Sequence, residues 1–322
     1  MTGLSIDALT VRIPLRGNDI VHAATGVSLT VAAGTVTALA GESGCGKSIV
    51  ASAVLGVLPP EAVTTGSVRL ELGGRTIDLI DDDPRTGGRA SHAPLGAAPS
   101  RRTFRRVRPR PRSYRGRHVA LIPQSPSTHF TPVRTIGSQL AETIAALGTD
   151  HTPADLADRA GLPSSALELY AHELSGGMAQ RAAVAAALAG DPEVIVADEP
   201  TSGLDRARTD QIGQLLRDCA DQGAAVLLIT HDLGHLLRAG IADTIAIMFA
   251  SRLMEVGPAR QVLDDPWHDY TGDLLAALPE RGLRPLPHPP LALTNLTEIC
   301  PYAGGPTELV REGLRMIRRP RT

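Results

Sequence analysis

Aromatic side chains are scarce in this sequence: Phe, Trp and Tyr together make up 2% of 322 residues. A core of such a chain has to be filled by Val, Leu, Ile and Ala. Cysteine is scarcer still, and the three that occur, Cys45, Cys219 and Cys300, are scattered. That excludes a disulfide-stapled scaffold. No hydrophobic run approaches the roughly 20 apolar residues that cross a bilayer. The stretch from Met1 to Thr10 carries Asp7 and no basic head followed by an apolar run, so it does not read as a signal peptide. A marked charge excess is also missing. The formal net charge is −2, which gives no broad positive field for nucleic acid or anionic lipid. A reducing, cytoplasmic setting is the expectation these absences leave.

What is present is ordinary for a globular protein: 43% hydrophobic and 20% charged residues. The length suits one large domain, or a domain with a modest appendage. Short β-rich runs open the chain at Leu9 to Ile13, Val27 to Val31 and Thr35 to Ala40. The last leads into a Gly-rich turn and a helix predicted over Lys47 to Leu58, stopped by Pro59-Pro60. Further strands are predicted at Ser67 to Leu72, Thr76 to Ile80 and His118 to Ile122. Residues 81–114 change character, rich in Gly, Pro, Ala and Arg, and read as a mobile insertion. Nine arginines lie between Arg101 and Arg117. They suit either a solvated loop or a contact with anionic lipid headgroups or RNA. Helical patterns dominate residues 131–190, and unbroken apolar strands follow at Val194 to Ala197 and Ala224 to Thr230. Strands of that kind alternating with helices imply an α/β fold with a parallel sheet covered on both faces. Beyond Leu278 the chain turns Pro-rich and reads as a weakly structured tail.

Gly41-Glu42-Ser43-Gly44-Cys45-Gly46-Lys47-Ser48 matches G-x-x-x-x-G-K-S/T at every fixed position. Glycines let successive backbone N–H groups turn inward around phosphate oxygens, and the helix that follows adds its positive end. Lys47 is then placed for the outer phosphates and the Ser48 hydroxyl for Mg²⁺. The motif specifies a nucleoside triphosphate, not a reaction. Farther on, Val194 to Ala197 ends in Asp198-Glu199, at the sheet edge where ligands bind in such folds. Asp198 suits a Mg²⁺ ligand and Glu199 a base for the attacking water. Two acids capping the helix that follows Pro200 would give the same sequence.

Between these motifs lies Leu174-Ser175-Gly176-Gly177-Met178-Ala179-Gln180-Arg181. It resembles the LSGG-x-Q signature of the ABC ATPases. Gln124 after a strand, Ser202-Gly203-Leu204-Asp205 after the acids, and His231 after Ala225 to Thr230 stand in that family's order. The resemblance implies a P-loop NTPase (RecA-like) core with a mostly parallel sheet, an N-terminal antiparallel β subdomain and an inserted helical signature subdomain at about 125–190. It also implies that ATP with Mg²⁺ is clasped between two subunits facing head to tail. Gly41 to Ser48 would bind the nucleotide, and Ser48, Gln124 and Asp198 would hold Mg²⁺. Glu199, His231 and Gln124 would serve catalysis, and Asp205 would connect the two sites. Leu174, Ser175, Gly176, Gly177 and Gln180 would act on the partner's nucleotide.

Finer similarity points to the peptide/nickel importer ATPases (oligopeptide, dipeptide, nickel). It rests on Gly41 to Gly44, Thr135-Ile136-Gly137-Ser138-Gln139-Leu140, Tyr170 to Leu174, Ile229 to Gly234 and Pro266-Trp267-His268-Asp269-Tyr270-Thr271. It implies an ATPase domain over 1–265 and a Pro-rich, partly irregular extension over 266–322. It implies a second homologous ATPase subunit, as a heterodimer, and two integral membrane permease subunits at the cytoplasmic face of the membrane. An extracytoplasmic solute-binding protein would deliver peptide, nickel or metal chelate. The alternative is a soluble ABC ATPase acting on nucleic acid or ribosomes. Its DNA-repair form needs a long coiled coil and its translation form a second cassette, and neither pattern occurs here.

Three positions depart from the family. Ile13 stands where an aromatic usually stacks on adenine. Cys300-Pro301-Tyr302-Ala303 resembles a remnant of a cysteine cluster, and one thiol falls short of four iron–sulfur ligands, so no cluster is expected. Cys45 lies inside the phosphate loop. It reads as a small filler, or as a thiol whose pKa the loop amides and Lys47 lower.

Overall fold

The computed structural model describes residues 3–80, 105–106, 114–297, 300, 302 and 305–320. An antiparallel sheet is built from β1 (Gly3–Pro14), β2 (Ile20–Ala32), β4 (Val63–Leu72) and β5 (Arg75–Asp78), with β6 (Arg105–Arg106) also on β4. Between them in sequence, β3 (Val36–Ala40) and helix α1 (Lys47–Val54) enter a second sheet layer. That sheet adds β7 (Val119–Ile122), β8 (Val194–Asp198), β9 (Ala225–Thr230), β10 (Thr244–Phe249), β11 (Arg252–Pro258), β12 (Thr307–Glu312) and β13 (Arg315–Pro320). Its order is β12-β13-β11-β10-β3-β9-β8-β7, parallel from β10 to β7 and antiparallel from β10 to β12. Apart from β6 and Tyr114, the expected insertion over 81–114 lies outside the described residues.

The parallel strands are apolar throughout because both of their faces are covered. Ile195 and Ala197 of β8 join one core cluster, while Val194 and Val196 join the other. In β9, Val226 and Leu228 face one way and Ala225, Leu227 and Ile229 the other. This period of two is the pleat of a strand buried on each side. One cluster faces the antiparallel subdomain and α1. The other lies beneath α2 (Ile136–Leu147), α3 (Pro153–Arg159), α4 (Gly176–Leu188), α5 (Arg206–Asp221), α6 (Leu233–Ala239), α7 (Ala259–Asp264) and α8 (Asp269–Ala276). Methyl groups do much of the filling in α4, where Ala179, Ala182, Ala183, Ala185 and Ala187 are all buried.

Helix α1 is shorter than the Lys47 to Leu58 expected. Gly56 turns to φ +61, and a side chain there would run into the Tyr114 hydroxyl. The Pro-rich tail also departs from expectation. Residues 307–320 form a hairpin whose β13 pairs with β11 and widens the main sheet. Local composition could not reveal it, because the partner strand is some sixty residues upstream.

Arg315 is the hairpin's anchor. It is buried, with Nη1 donating to the Asp265 carbonyl at 2.6 Å and Nη2 to the Gln261 carbonyl at 2.9 Å. Its guanidinium lies 4.1 Å from the Trp267 ring centroid and pairs at 3.4 Å with Glu255, which is fully buried. Removing one partner of a buried pair leaves the other charge uncompensated. Arg315→Met is therefore expected to lower unfolding stability by about 3 kcal/mol, measured by denaturant titration, with part of the loss recovered when Glu255→Gln is added.

Candidate active site

Four neighbouring parallel strands deliver the site residues at their carboxyl ends, where an open α/β sheet leaves room for a ligand. Strand β3 runs into the phosphate loop, β8 into Asp198-Glu199, β9 into His231 and β7 into Gln124. In the loop, Gly41 has φ +151, and a Cβ there would lie 2.1 Å from the Met248 carbonyl oxygen. Gly46 has φ +110, and its Cβ would lie 2.2 Å from the Ala23 carbonyl oxygen. Both positions therefore exclude any side chain. Gly46 precedes α1 without a side-chain cap, so the helix end is free to face an anion.

Lys47 is buried, and its Nζ donates to the carbonyl oxygens of Gly41 and Glu42, each at 2.8 Å. The ammonium is thus held at the loop's mouth by neutral acceptors, and among the described residues no acid forms an ion pair with it. Ser48 Oγ donates to Asp198 Oδ1 at 3.4 Å. Burial raises the Asp198 carboxyl above the usual range; the Ser48 hydroxyl and Lys47 oppose this and Glu199 adds to it. A partly buried carboxylate beside a hydroxyl and a second acid is a hard-oxygen set that suits a small divalent cation such as Mg²⁺.

Glu199 occupies an unusual backbone state, φ +46 for a non-glycine residue, at the tip of β8. Its amide donates to the Ile229 carbonyl at 2.9 Å, which fastens the strained turn to β9. Its Oε2 accepts from Gln124 Nε2 at 2.9 Å, and its Oε1 lies 3.2 Å from His231 Nδ1. The carboxylate is mostly buried while His231 is half exposed. One acid is thereby gripped from two sides, with the imidazole open to whatever occupies the mouth.

The signature turn sits elsewhere. Ser175 caps α4, its Oγ accepting from the Met178 amide at 3.3 Å. Gly176 packs near Leu204, and Gly177 lies against Arg208 so tightly that a Cβ would come 3.1 Å from Arg208 Cδ. Asp205 caps α5 and pairs with Arg208 at 3.3 Å. Among the described residues no hydrogen bond or ion pair joins Ser175, Gly176 or Gly177 to the phosphate loop. Gln180 is the link between the two regions: it is buried, and its amide donates to the Pro123 carbonyl at 3.5 Å, next to Gln124.

Cys45 departs from one expectation. Burial pushes its thiol up, outweighing the pull of Lys47, so the loop holds a protonated filler rather than an activated thiolate. Two features have no precedent in the motifs. The C-terminal segment bridges Val21 through Thr294, and the Asn295 amide donates to the Ile20 carbonyl at 2.8 Å, beside half-buried Ile13. Tyr270 of α8 reaches Glu42 in the phosphate loop. Neither contact has a local signal, since each joins residues more than two hundred positions apart.

A phosphate loop, an acid pair two strands along the same sheet and a signature turn on an inserted helical layer define a P-loop NTPase of the ATP-binding cassette type. The fold is shared with solved cassettes. One is a dimeric post-hydrolysis state of the ATP-binding cassette MJ0796 bound to ADP and Pi, with a TM-score of 0.59 and 22% identity over 80% of this chain and 99% of that one. The ABC transporter family profile matches residues 24–202. A probable peptide ABC transporter ATP-binding protein of Sinorhizobium fredii is 33% identical over 89% of this chain and 84% of its own length. The dipeptide transport ATP-binding protein DppD of Bacillus subtilis is 30% identical over 95% and 82%. The oligopeptide transport ATP-binding protein OppD of Mycobacterium tuberculosis is 36% identical over 88% of this chain, which spans 44% of that protein's length. The chain belongs to the ABC transporter family, among its peptide-importer ATPases.

Proposed function

We propose that this chain binds and hydrolyses ATP to drive uptake of peptide through membrane subunits encoded separately. The observation that carries this is the grip of Gln124 and His231 on Glu199, on a strand separated from that of the Lys47 loop by β9 alone. In that arrangement Glu199 receives the proton of the attacking water, and Gln124 and His231 orient the carboxylate. Lys47 leaves the Gly41 and Glu42 carbonyls for the phosphates. Ser48, Asp198 and Gln124 would hold Mg²⁺, and the ion would neutralise phosphate charge.

Among the described residues Ser175 and the glycines after it make no hydrogen bond to the phosphate loop of their own chain, which supports a head-to-tail dimer in which they serve a partner's γ-phosphate. Asp205, capping α5 against that turn, is placed to connect the two sites. The partner is a second, homologous ATPase in a heterodimer. The pair docks on two permeases at the cytoplasmic face of the membrane, and a solute-binding protein supplies cargo. Among the described residues no helix is long and apolar enough to cross a membrane. Nickel and metal chelates are the other cargo classes within this reading.

The test is extraction of the tagged chain from its own membranes in mild detergent. Two integral membrane proteins and a second ATPase are expected to co-purify, with ATP turnover stimulated by peptide-loaded binding protein. Recovery with ribosomes or nucleic acid instead, released by salt, would replace this reading with the soluble one.

A further inference from the structure

Glu42 is the one acid of the phosphate loop. It is half-buried, in a site built for a polyanion. Its own carbonyl accepts from Lys47 Nζ at 2.8 Å, so the residue that bears the carboxylate lies against that ammonium. Turned toward Lys47, the carboxylate would repel phosphate and occupy the cation that phosphate needs. Here it is turned aside, because the Tyr270 hydroxyl donates to Glu42 Oε2 at 3.2 Å.

The phenol that does this is rigidly held. Tyr270 is fully buried, with the Phe249 ring 4.5 Å away and the Tyr302 ring at 5.5 Å. Phe249 follows Met248, the residue whose carbonyl fills the space beside Gly41. The Tyr270 amide donates to His268 Nδ1 at 3.1 Å, and the Trp267 and His268 amides both donate to the buried Glu255 carboxylate. The start of α8 is thus pinned to β11, and the tyrosine points at the loop from a fixed base. Burial pushes the phenol above its ordinary value, so the hydroxyl stays a proton donor.

We propose that Tyr270 is a positioning residue for ATP binding: by holding the Glu42 carboxylate away from Lys47, the C-terminal extension keeps the phosphate loop ready for nucleotide. This deepens the ATPase reading above and rests on it. Packing alone predicts nothing for a change that keeps the ring, whereas positioning predicts a charge effect.

The experiment compares ATP kinetics of the assembled complex carrying Tyr270→Phe, Glu42→Gln and both. A hydrogen bond to a charged group governs the first variant, so its KM for ATP is expected to rise about five- to tenfold, with kcat within about twofold. In the double variant the neutral amide no longer competes for Lys47, and the Tyr270→Phe change should add nothing to Glu42→Gln. Should Tyr270→Phe melt early, Glu42→Asp withdraws the carboxylate from the phenol with α8 intact, and must raise KM in the same way. An unchanged KM in both Tyr270→Phe and Glu42→Asp, or a KM rise that persists in the double variant, overturns the proposal. Failure of the underlying reading is distinct: the unmodified complex would itself neither bind nor turn over ATP.

Discussion

Glu199→Gln is expected to slow ATP turnover on the order of a thousandfold while leaving nucleotide binding nearly intact. The substitution is isosteric, so the turn at φ +46 and the amide bond to Ile229 have no reason to change. What goes is the basic oxygen. A glutamine keeps an acceptor for Gln124 Nε2, now 2.9 Å from the Glu199 Oε2 position, but it cannot take a proton. In the proposed site the phosphate contacts would come from Lys47 and the loop amides, which lie on a different strand end. The variant should therefore accumulate with ATP bound and the dimer closed, since only hydrolysis would reopen it. Single-turnover kinetics on the assembled complex read the first effect and equilibrium nucleotide binding reads the second. Hydrolysis within about tenfold of the parent would remove Glu199 as the base and leave His231 as the better candidate.

The residues of this site were legible in the sequence because they form short, local patterns. Lys47 and Ser48 follow a glycine run, and Asp198-Glu199 ends an apolar strand whose buried surroundings need no tertiary knowledge. The signature and the Asp205 region were legible as motifs but not as functions. Ser175 and Asp205 are each the N-cap of a helix, accepting from Met178 and Arg208, so their presence is explained locally before any partner is considered. Contacts that close over long separations were not legible. Nothing near Tyr270 announces an acid 228 residues away, and nothing in the Pro-rich tail announces pairing with β11. In both cases the information lies in how the sheet is ordered, with β10, β11 and β13 side by side. For Cys45 the sequence allowed a small filler or an activated thiol, and the fold decides for the filler. Its neighbours in sequence favour a thiolate, while its burial in the fold, which the sequence does not state, is the larger effect.

Lys47→Ala is expected to abolish transport and to weaken ATP binding on the order of a hundredfold or more. Two charge-assisted contacts to phosphate are lost, each typically about 1.5–3 kcal/mol. The loss reaches further than the contacts, because the same ammonium ties together the Gly41 and Glu42 carbonyls at 2.8 Å. Arginine would not substitute: a planar guanidinium is broader than the ammonium it would replace between those two oxygens. Lys47 is also the only lysine in the chain. An amine-acylating ATP analogue can therefore mark one side chain, and ATP should protect it, with the modified peptide located by mass spectrometry. In Lys47→Ala the mark should vanish from the loop altogether. Labelling of Lys47 that ATP does not diminish would mean the ammonium stays on its carbonyls when nucleotide binds, and the phosphate contact assigned to it would have to be withdrawn.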